Sequence, residues 1–139
     1  MKKVVFVCIH NSGRSQMAEA FAKRLGAGRI FAESAGTEPA EYLNPVVVRA
    51  MEEIEYDMEG HYPKLMTPEI LEDADRIVTM GCGVNVEGAA CPALLVKCDD
   101  WGLEDPKGRS IEEVREIRDL VKAKVQELIR EMSAERRDE

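Results

Sequence analysis

The residues of this sequence best suited to chemistry lie in the stretch Cys8-Ile9-His10-Asn11-Ser12-Gly13-Arg14-Ser15. A thiol stands at the end of an apolar run, and an Arg-Ser pair follows where helix formers begin. The N–H groups of such a loop can curl into an anion-binding nest, to which a helix N-terminus adds partial positive charge. Arg14 supplies a planar fork that matches two oxygens of a tetrahedral anion. The same field favours a thiolate at Cys8, lowering a pKa that is ordinarily ~8.5. Ser15 can donate a hydrogen bond to that sulfur. Asn11 and Gly13 suit the left-handed backbone angles that a tight curl demands. The plainer alternative is a buried strand cysteine followed by a polar turn and a helix cap. The strand-loop-helix context favours the first reading: Cys8 is a nucleophile, and residues Ile9 to Arg14 hold its oxyanion.

A second group is Cys82 and Cys91, separated by eight residues in a stretch that also carries Gly81, Gly83 and Gly88. Thiols in a chain without an export signal are redox-active, catalytic or metal-binding more often than structural bridges. Zinc sites usually show tight pairs such as Cys-x-x-Cys, and no such pair occurs among Cys82, Cys91, Cys98 and His61. Cys98 closes an apolar run and reads as a small core residue. His10 reads as loop lining and His61 as structural.

The elements that must position these groups follow from pattern. Lys3–Cys8 is a continuous apolar run, expected as a buried strand. Ser15–Leu25 carries Met17, Phe21 and Leu25 at helical spacing. Arg29–Ser34 reads as a second strand and Ser34-Ala35-Gly36 as a turn. Asn44-Pro45 signals a helix start, with the helix running to about Glu55 and a short helix following at Pro68–Glu72. Asp75–Met80 and Ala93–Cys98 are expected as the third and fourth strands, with loops at Gly81–Pro92 and Asp99–Gly108. Ile111, Val114, Ile117, Val121, Val125, Leu128 and Met132 mark a long closing helix, and 133–139 a frayed charged tail. Alternating strands and helices imply an α/β fold, a three-layer α/β/α arrangement around a four-stranded parallel sheet in one domain over 1–139. Ligands of such sheets bind beyond the strand C-termini. Cys8, Cys82, Cys98 and the Asp99–Asp105 stretch all fall there.

Composition narrows the partners. With 139 residues, 45% apolar and 33% charged, the chain can bury one core. Its formal net charge of −8 argues against nucleic acid and anionic membranes, so an anion site must be built locally. No apolar run approaches the ~20 residues that span a bilayer. The amino terminus resembles a signal peptide only briefly, and a cytoplasmic location is expected.

Cys8 through Glu19 resembles the signature of the low-molecular-weight phosphotyrosine phosphatase fold, and more specifically its thioredoxin-regenerated arsenate reductases. Ser34-Ala35-Gly36, Asn44-Pro45, Gly60-His61 and Asp105-Pro106 fall where that family places similar elements. The resemblance implies that Asp105 is the acid protonating the leaving oxygen, with Glu104, Asp99 and Asp100 as weaker substitutes. It also implies a three-thiol relay. Cys8 attacks arsenic, Cys82 attacks Cys8 to release arsenite, and Cys91 moves the disulfide to Cys82–Cys91, where a dithiol protein reaches it. The partners so implied are arsenate, with phosphate or sulfate competing, and thioredoxin or a similar protein. No tightly bound cofactor is expected, and the chain is expected to be a monomer. Some relatives place a potassium ion near the equivalents of Asn11, Glu19 and Ser34.

Two other functions stay open on sequence. The phosphatases of the fold follow Asp-Pro with aromatic residues, where this chain has Lys107 and Gly108; Trp101 is the large ring nearby, packing the loop or touching substrate. A phosphatase would use Cys8 without Cys82 and Cys91. A non-catalytic oxyanion or redox sensor would bind through Cys8 without turnover.

Overall fold

The computed structural model describes residues 1–80 and 97–137. Cys82, Cys91, the expected loop at 81–92 and the first part of the expected fourth strand lie outside the described residues. The elements are β1 (Lys2–Cys8), α1 (Arg14–Leu25), β2 (Ile30–Gly36), α2 (Pro45–Glu52), α3 (Pro68–Glu72), β3 (Arg76–Thr79), β4 (Lys97–Asp100) and α4 (Ile111–Arg137). The strands form one sheet in the order β2-β1-β3-β4, and every pair is parallel. The expected four-stranded parallel α/β architecture is present.

β1 is central, and its side chains alternate between two apolar layers. Val4, Phe6 and Cys8 enter a core built with α1, α2 and α4, while Val5 and Val7 face Leu71, Ala74 and Ile77 on the side of α3. A strand buried on both faces loses the polar alternation of a surface strand, which is why Lys3–Cys8 reads as a continuous apolar run. Full burial of Phe6 makes truncation to alanine worth about 3–5 kcal/mol. The solvent-exposed Arg115–Glu53 pair at 2.6 Å contributes little beside it. Apolar burial by α1, α2 and α4 therefore holds the strand that carries the thiol.

Four boundaries differ from expectation. The Ser34–Gly36 stretch is strand, not turn: Ser34, Ala35 and Gly36 pair with Phe6, Val7 and Cys8. α2 ends at Glu52 because Glu55 adopts a left-handed φ of 64°, which lets Tyr56 turn inward onto Phe21, ring centroids 4.9 Å apart. Asp99 and Asp100 belong to β4 instead of a loop, paired with Val78 and Thr79. α4 continues to Arg137, since 133–137 contain no glycine or proline to stop it.

Candidate active site

Cys8 ends β1 opposite Gly36 and is 4% exposed. Its Sγ lies 2.8 Å from Ser15 Oγ and accepts from the Asn11 backbone N–H at 3.0 Å. Asn11 Oδ1 accepts the Lys64 backbone N–H at 2.8 Å, which fixes the orientation of the amide, and Nδ2 then donates to Ser15 Oγ at 2.8 Å. Ser15 Oγ thereby accepts from Asn11, and with Cys8 as the thiolate its own hydrogen goes to Cys8 Sγ. Two donors converge on the sulfur, an arrangement that stabilises the thiolate over the thiol.

The loop's carbonyls point the other way. Those of Cys8, Ile9, His10 and Ser12 accept the N–H groups of Thr37, Glu38, Ala40 and Asn44 at 2.7–3.2 Å. This backbone stapling leaves the loop's amides to line the concave side, continuous with the uncapped N-terminus of α1 at Arg14. Asn11 has the left-handed conformation expected of it, φ 50°. Gly13 does not; its φ is −140°. Space explains the glycine there: a β-carbon on Gly13 would lie 2.8 Å from Pro106 Cγ. At Gly36 it would meet the Ile9 carbonyl oxygen at 2.5 Å, so only glycine lets β2 pass behind the loop.

Arg14 is 7% exposed. Its Nη1 donates to the carbonyls of Met80 at 2.7 Å and Leu103 at 2.6 Å, using both hydrogens of that nitrogen. These bonds lock the guanidinium and leave its Nε–Nη2 edge to grip two oxygens of an anion. Asp105 Oδ2 lies 4.0 Å from Nη2, and Oδ1 accepts the Lys107 N–H at 3.0 Å in a turn closed by Pro106. The carboxyl is half-exposed at the mouth of a cavity of ≈ 530 Å³ that Cys8, Arg14 and Asp105 line together.

The other candidates separate clearly. His10 lines the cavity, with Nδ1 donating to the Glu38 carbonyl at 3.0 Å. Tyr42, from the β2–α2 connection, lines it too, so an aromatic ring borders the cavity. Trp101 is elsewhere, its ring 5.7 Å from Phe6 and beneath Lys124. Asp99 pairs with Arg76 at 2.6 Å, Asp100 accepts from Thr79 at 2.8 Å, and Glu104 lies 3.8 Å from Arg109; none of them lines the cavity. No group of three or more His, Cys, Asp or Glu is placed to hold a metal among the described residues. No described helix is long and apolar enough to cross a membrane.

Behind the loop is a polar network in which Gln16 and Lys64, not singled out from the sequence, join Asn11, Glu19 and His61. Gln16 Nε2 donates to Asn11 Oδ1 at 3.0 Å and to the Tyr62 carbonyl at 2.9 Å, and Gln16 Oε1 accepts from His61 Nδ1 at 3.2 Å. His61 also approaches Glu19 Oε2 at 3.4 Å. Burial alone would raise the Glu19 pKa. The hydrogen bonds from Ser34 and Lys23, with the charges of Lys64 and Lys23, outweigh it and hold the carboxyl below the usual range. Burial lowers the His61 pKa, with the neighbouring lysines, against an opposing pull from Glu19. The one sequence signal was the unexpected polarity of Gln16 and Glu19 on an otherwise apolar helix face.

Residues 3–138 match the family model described as low molecular weight phosphotyrosine protein phosphatase. The glutaredoxin arsenate reductase of Synechocystis sp. is 42% identical over 96% of this chain and all of its own length. The arsenate reductase of Staphylococcus aureus is 35% identical over 90% of this chain and 94% of its own. Among solved structures, an arsenate reductase in the phosphate binding state superposes with a TM-score of 0.82 at 41% identity, covering 96% of this chain and 100% of that one. The YwlE arginine phosphatase of Geobacillus stearothermophilus gives 0.87 at 22% identity over 99% and 97%, a likeness of fold alone. The chain belongs to the low molecular weight phosphotyrosine protein phosphatase family, alongside the arsenate reductases.

Proposed function

We propose that this protein reduces arsenate to arsenite, with Cys8 as the attacking thiolate. The observation that carries the reading is the convergence of Ser15 Oγ and the Asn11 N–H on Cys8 Sγ, within one cavity lined also by Arg14 and Asp105. Residues Ile9 to Gly13 hold the oxygens through backbone amides, and Arg14 grips two of them. Cys8 Sγ forms a bond to arsenic while one As–O bond breaks, and that oxygen leaves as water with a proton from Asp105. Arsenic is still pentavalent at that point.

The electrons then come from thiols. Cys82 attacks Cys8 Sγ; an S–S bond forms, the As–S bond breaks, and its electron pair returns to arsenic, which departs as arsenite. Cys91 attacks Cys82; the Cys8–Cys82 bond breaks, Cys8 leaves as a thiolate, and a Cys82–Cys91 disulfide remains for an external dithiol protein to reduce. The presence of both cysteines, and relatives named as arsenate reductases at 35–42% identity, support this path over simple hydrolysis. One relative is named a glutaredoxin arsenate reductase, and one solved structure, at 29% identity, a thioredoxin-dependent arsenate reductase. We take the reductant to be thioredoxin or a similar dithiol protein, phosphate and sulfate to compete for the loop, and the chain to act as a cytoplasmic monomer without a tightly bound cofactor.

Arsenate supplied with thioredoxin, thioredoxin reductase and NADPH should sustain NADPH oxidation, with a parallel arm using glutaredoxin and glutathione. Replacing Cys8, Cys82 or Cys91 with serine should abolish it. Turnover of arsenate that survives loss of Cys82 and Cys91 together would contradict the relay. Tyr42 supports a second, slower activity: its ring beside the loop gives an aryl phosphate a surface to rest on. Hydrolysis of such an ester should need Cys8 and Asp105 but neither Cys82 nor Cys91.

A further inference from the structure

Glu19 is 2% exposed, on the α1 face turned toward the back of the anion loop. A carboxylate so buried must be paired. Its Oε1 accepts from Ser34 Oγ at 2.7 Å and faces Lys64 Nζ at 3.3 Å, while Oε2 faces Lys23 Nζ at 2.9 Å. A dissolved potassium ion at this place would need oxygen lone pairs from Asn11, Glu19 and Ser34. Those of Asn11 Oδ1 are taken by Gln16 Nε2 and the Lys64 N–H. Both oxygens of Glu19 already face an ammonium, and an added cation would stand against two like charges. The residues present do not fit a bound potassium ion.

We propose that Lys64 is the resident cation of this pocket and a positioning residue for the anion loop, which is therefore organised without any dissolved monovalent ion. One residue performs two tasks. Its ammonium neutralises Glu19, and its backbone N–H holds Asn11 Oδ1, whose amide in turn holds Ser15 against Cys8. Lys64 is fixed for this role because its segment is stapled to the end of β2: Gly36 N–H donates to the Lys64 carbonyl, and Met66 N–H to the Gly36 carbonyl, both at 2.8 Å. The Tyr62 ring, 5.3 Å from Nζ, limits where the ammonium can swing. Lys23, on the open side of α1, is half-exposed and contributes less.

The test compares thermal midpoint and inorganic phosphate affinity in potassium, ammonium and tetramethylammonium chloride at matched ionic strength. The wild-type protein should give the same values in all three. Lys64→Ala should lose about 4 °C or more and bind phosphate about threefold or more weakly in tetramethylammonium. It should recover most of both in potassium or ammonium, which are small enough to enter the vacated place. Lys64→Arg should stay close to wild type. A wild-type protein stabilised by potassium over tetramethylammonium would overturn the proposal, and that measurement needs no variant. So would a Lys64→Ala protein unchanged in every salt, or one weakened equally in every salt. If Lys64→Ala does not fold in tetramethylammonium, Lys64→Gln carries the same comparison.

Discussion

Pro106 occupies the place where a side chain on Gly13 would begin, 2.8 Å from Cγ to an ideal β-carbon. The acid loop and the anion loop are thus in direct contact, and the glycine sets how close Asp105 stands to Arg14. Gly13→Ala should push the acid loop outward and lower kcat about tenfold, with a smaller change in phosphate affinity, because small misplacements of a proton donor cost rate before they cost binding. Steady-state kinetics beside phosphate calorimetry checks it. An unchanged kcat would mean the contact has no part in placing the acid.

Ser15 is held as a donor to Cys8 by the Asn11 amide. Ser15→Ala removes that hydrogen bond and should move the pH at which Cys8 is alkylated upward by about one unit, the equivalent of a single hydrogen bond to a charged group. Rates of iodoacetamide labelling at Cys8 across pH, in protein whose other three cysteines are changed to serine, give the value directly. No movement would show that the Asn11 N–H alone sets the thiolate.

Asp105→Asn should lower kcat for arsenate by about 10²-fold or more and leave phosphate binding no weaker, since a carboxylate 4.0 Å from Arg14 opposes the anion. Asp99→Asn and Asp100→Asn should leave kcat within about twofold, because both side chains serve β3–β4 pairing partners outside the cavity. Asp99→Asn should instead lower the thermal midpoint, as Arg76 is 3% exposed and loses its 2.6 Å partner. Loss of activity in Asp99→Asn with intact stability would reopen the identity of the acid.

Acid should destabilise the fold in two stages. Both His61 and Glu19 have folded pKa values below their ordinary ones, so in each case the unfolded chain takes up its proton first. The stabilisation from His61 is complete above its ordinary value of 6.5 and is lost as pH falls through its lower folded value. That from Glu19 is complete above 4.5 and is lost as pH falls through the value set by Ser34, Lys23 and Lys64. Thermal midpoints measured from pH 8 to 3 should decline across both windows, and His61→Gln should remove the upper one. A midpoint that rises as pH falls from 7 to 5 would be the wrong sign.

Local features of this chain are legible in the sequence, and features assembled over distance are not. The anion loop is a run of eight residues whose geometry depends on its own backbone, and its cysteine, asparagine, arginine and serine stand where their spacing implies. β1 is legible because burial on both faces leaves an unbroken apolar run. Ser34-Ala35-Gly36 looks like a turn because its residues are small; the smallness answers instead to the Ile9 carbonyl pressing on β2. Lys64 carries no signal, since the residues it serves, Asn11 and Glu19, are 53 and 45 positions away. Asp99 and Asp100 read as loop because acidic residues are depleted in strands. Arg76 and Thr79 on the neighbouring strand are what make them acceptable there.

In the proposed relay Cys8 is oxidised first, its disulfide with Cys82 passes on to Cys82–Cys91, and the electron pair goes to arsenic. Mass mapping of disulfides after one equivalent of arsenate, without external reductant, tests it most directly. The wild-type protein should yield a Cys82–Cys91 bridge with stoichiometric arsenite, and the Cys91→Ser protein should stop at Cys8–Cys82. Arsenite release with neither bridge formed, or a Cys82–Cys91 bridge formed equally in the Cys8→Ser protein, would contradict it.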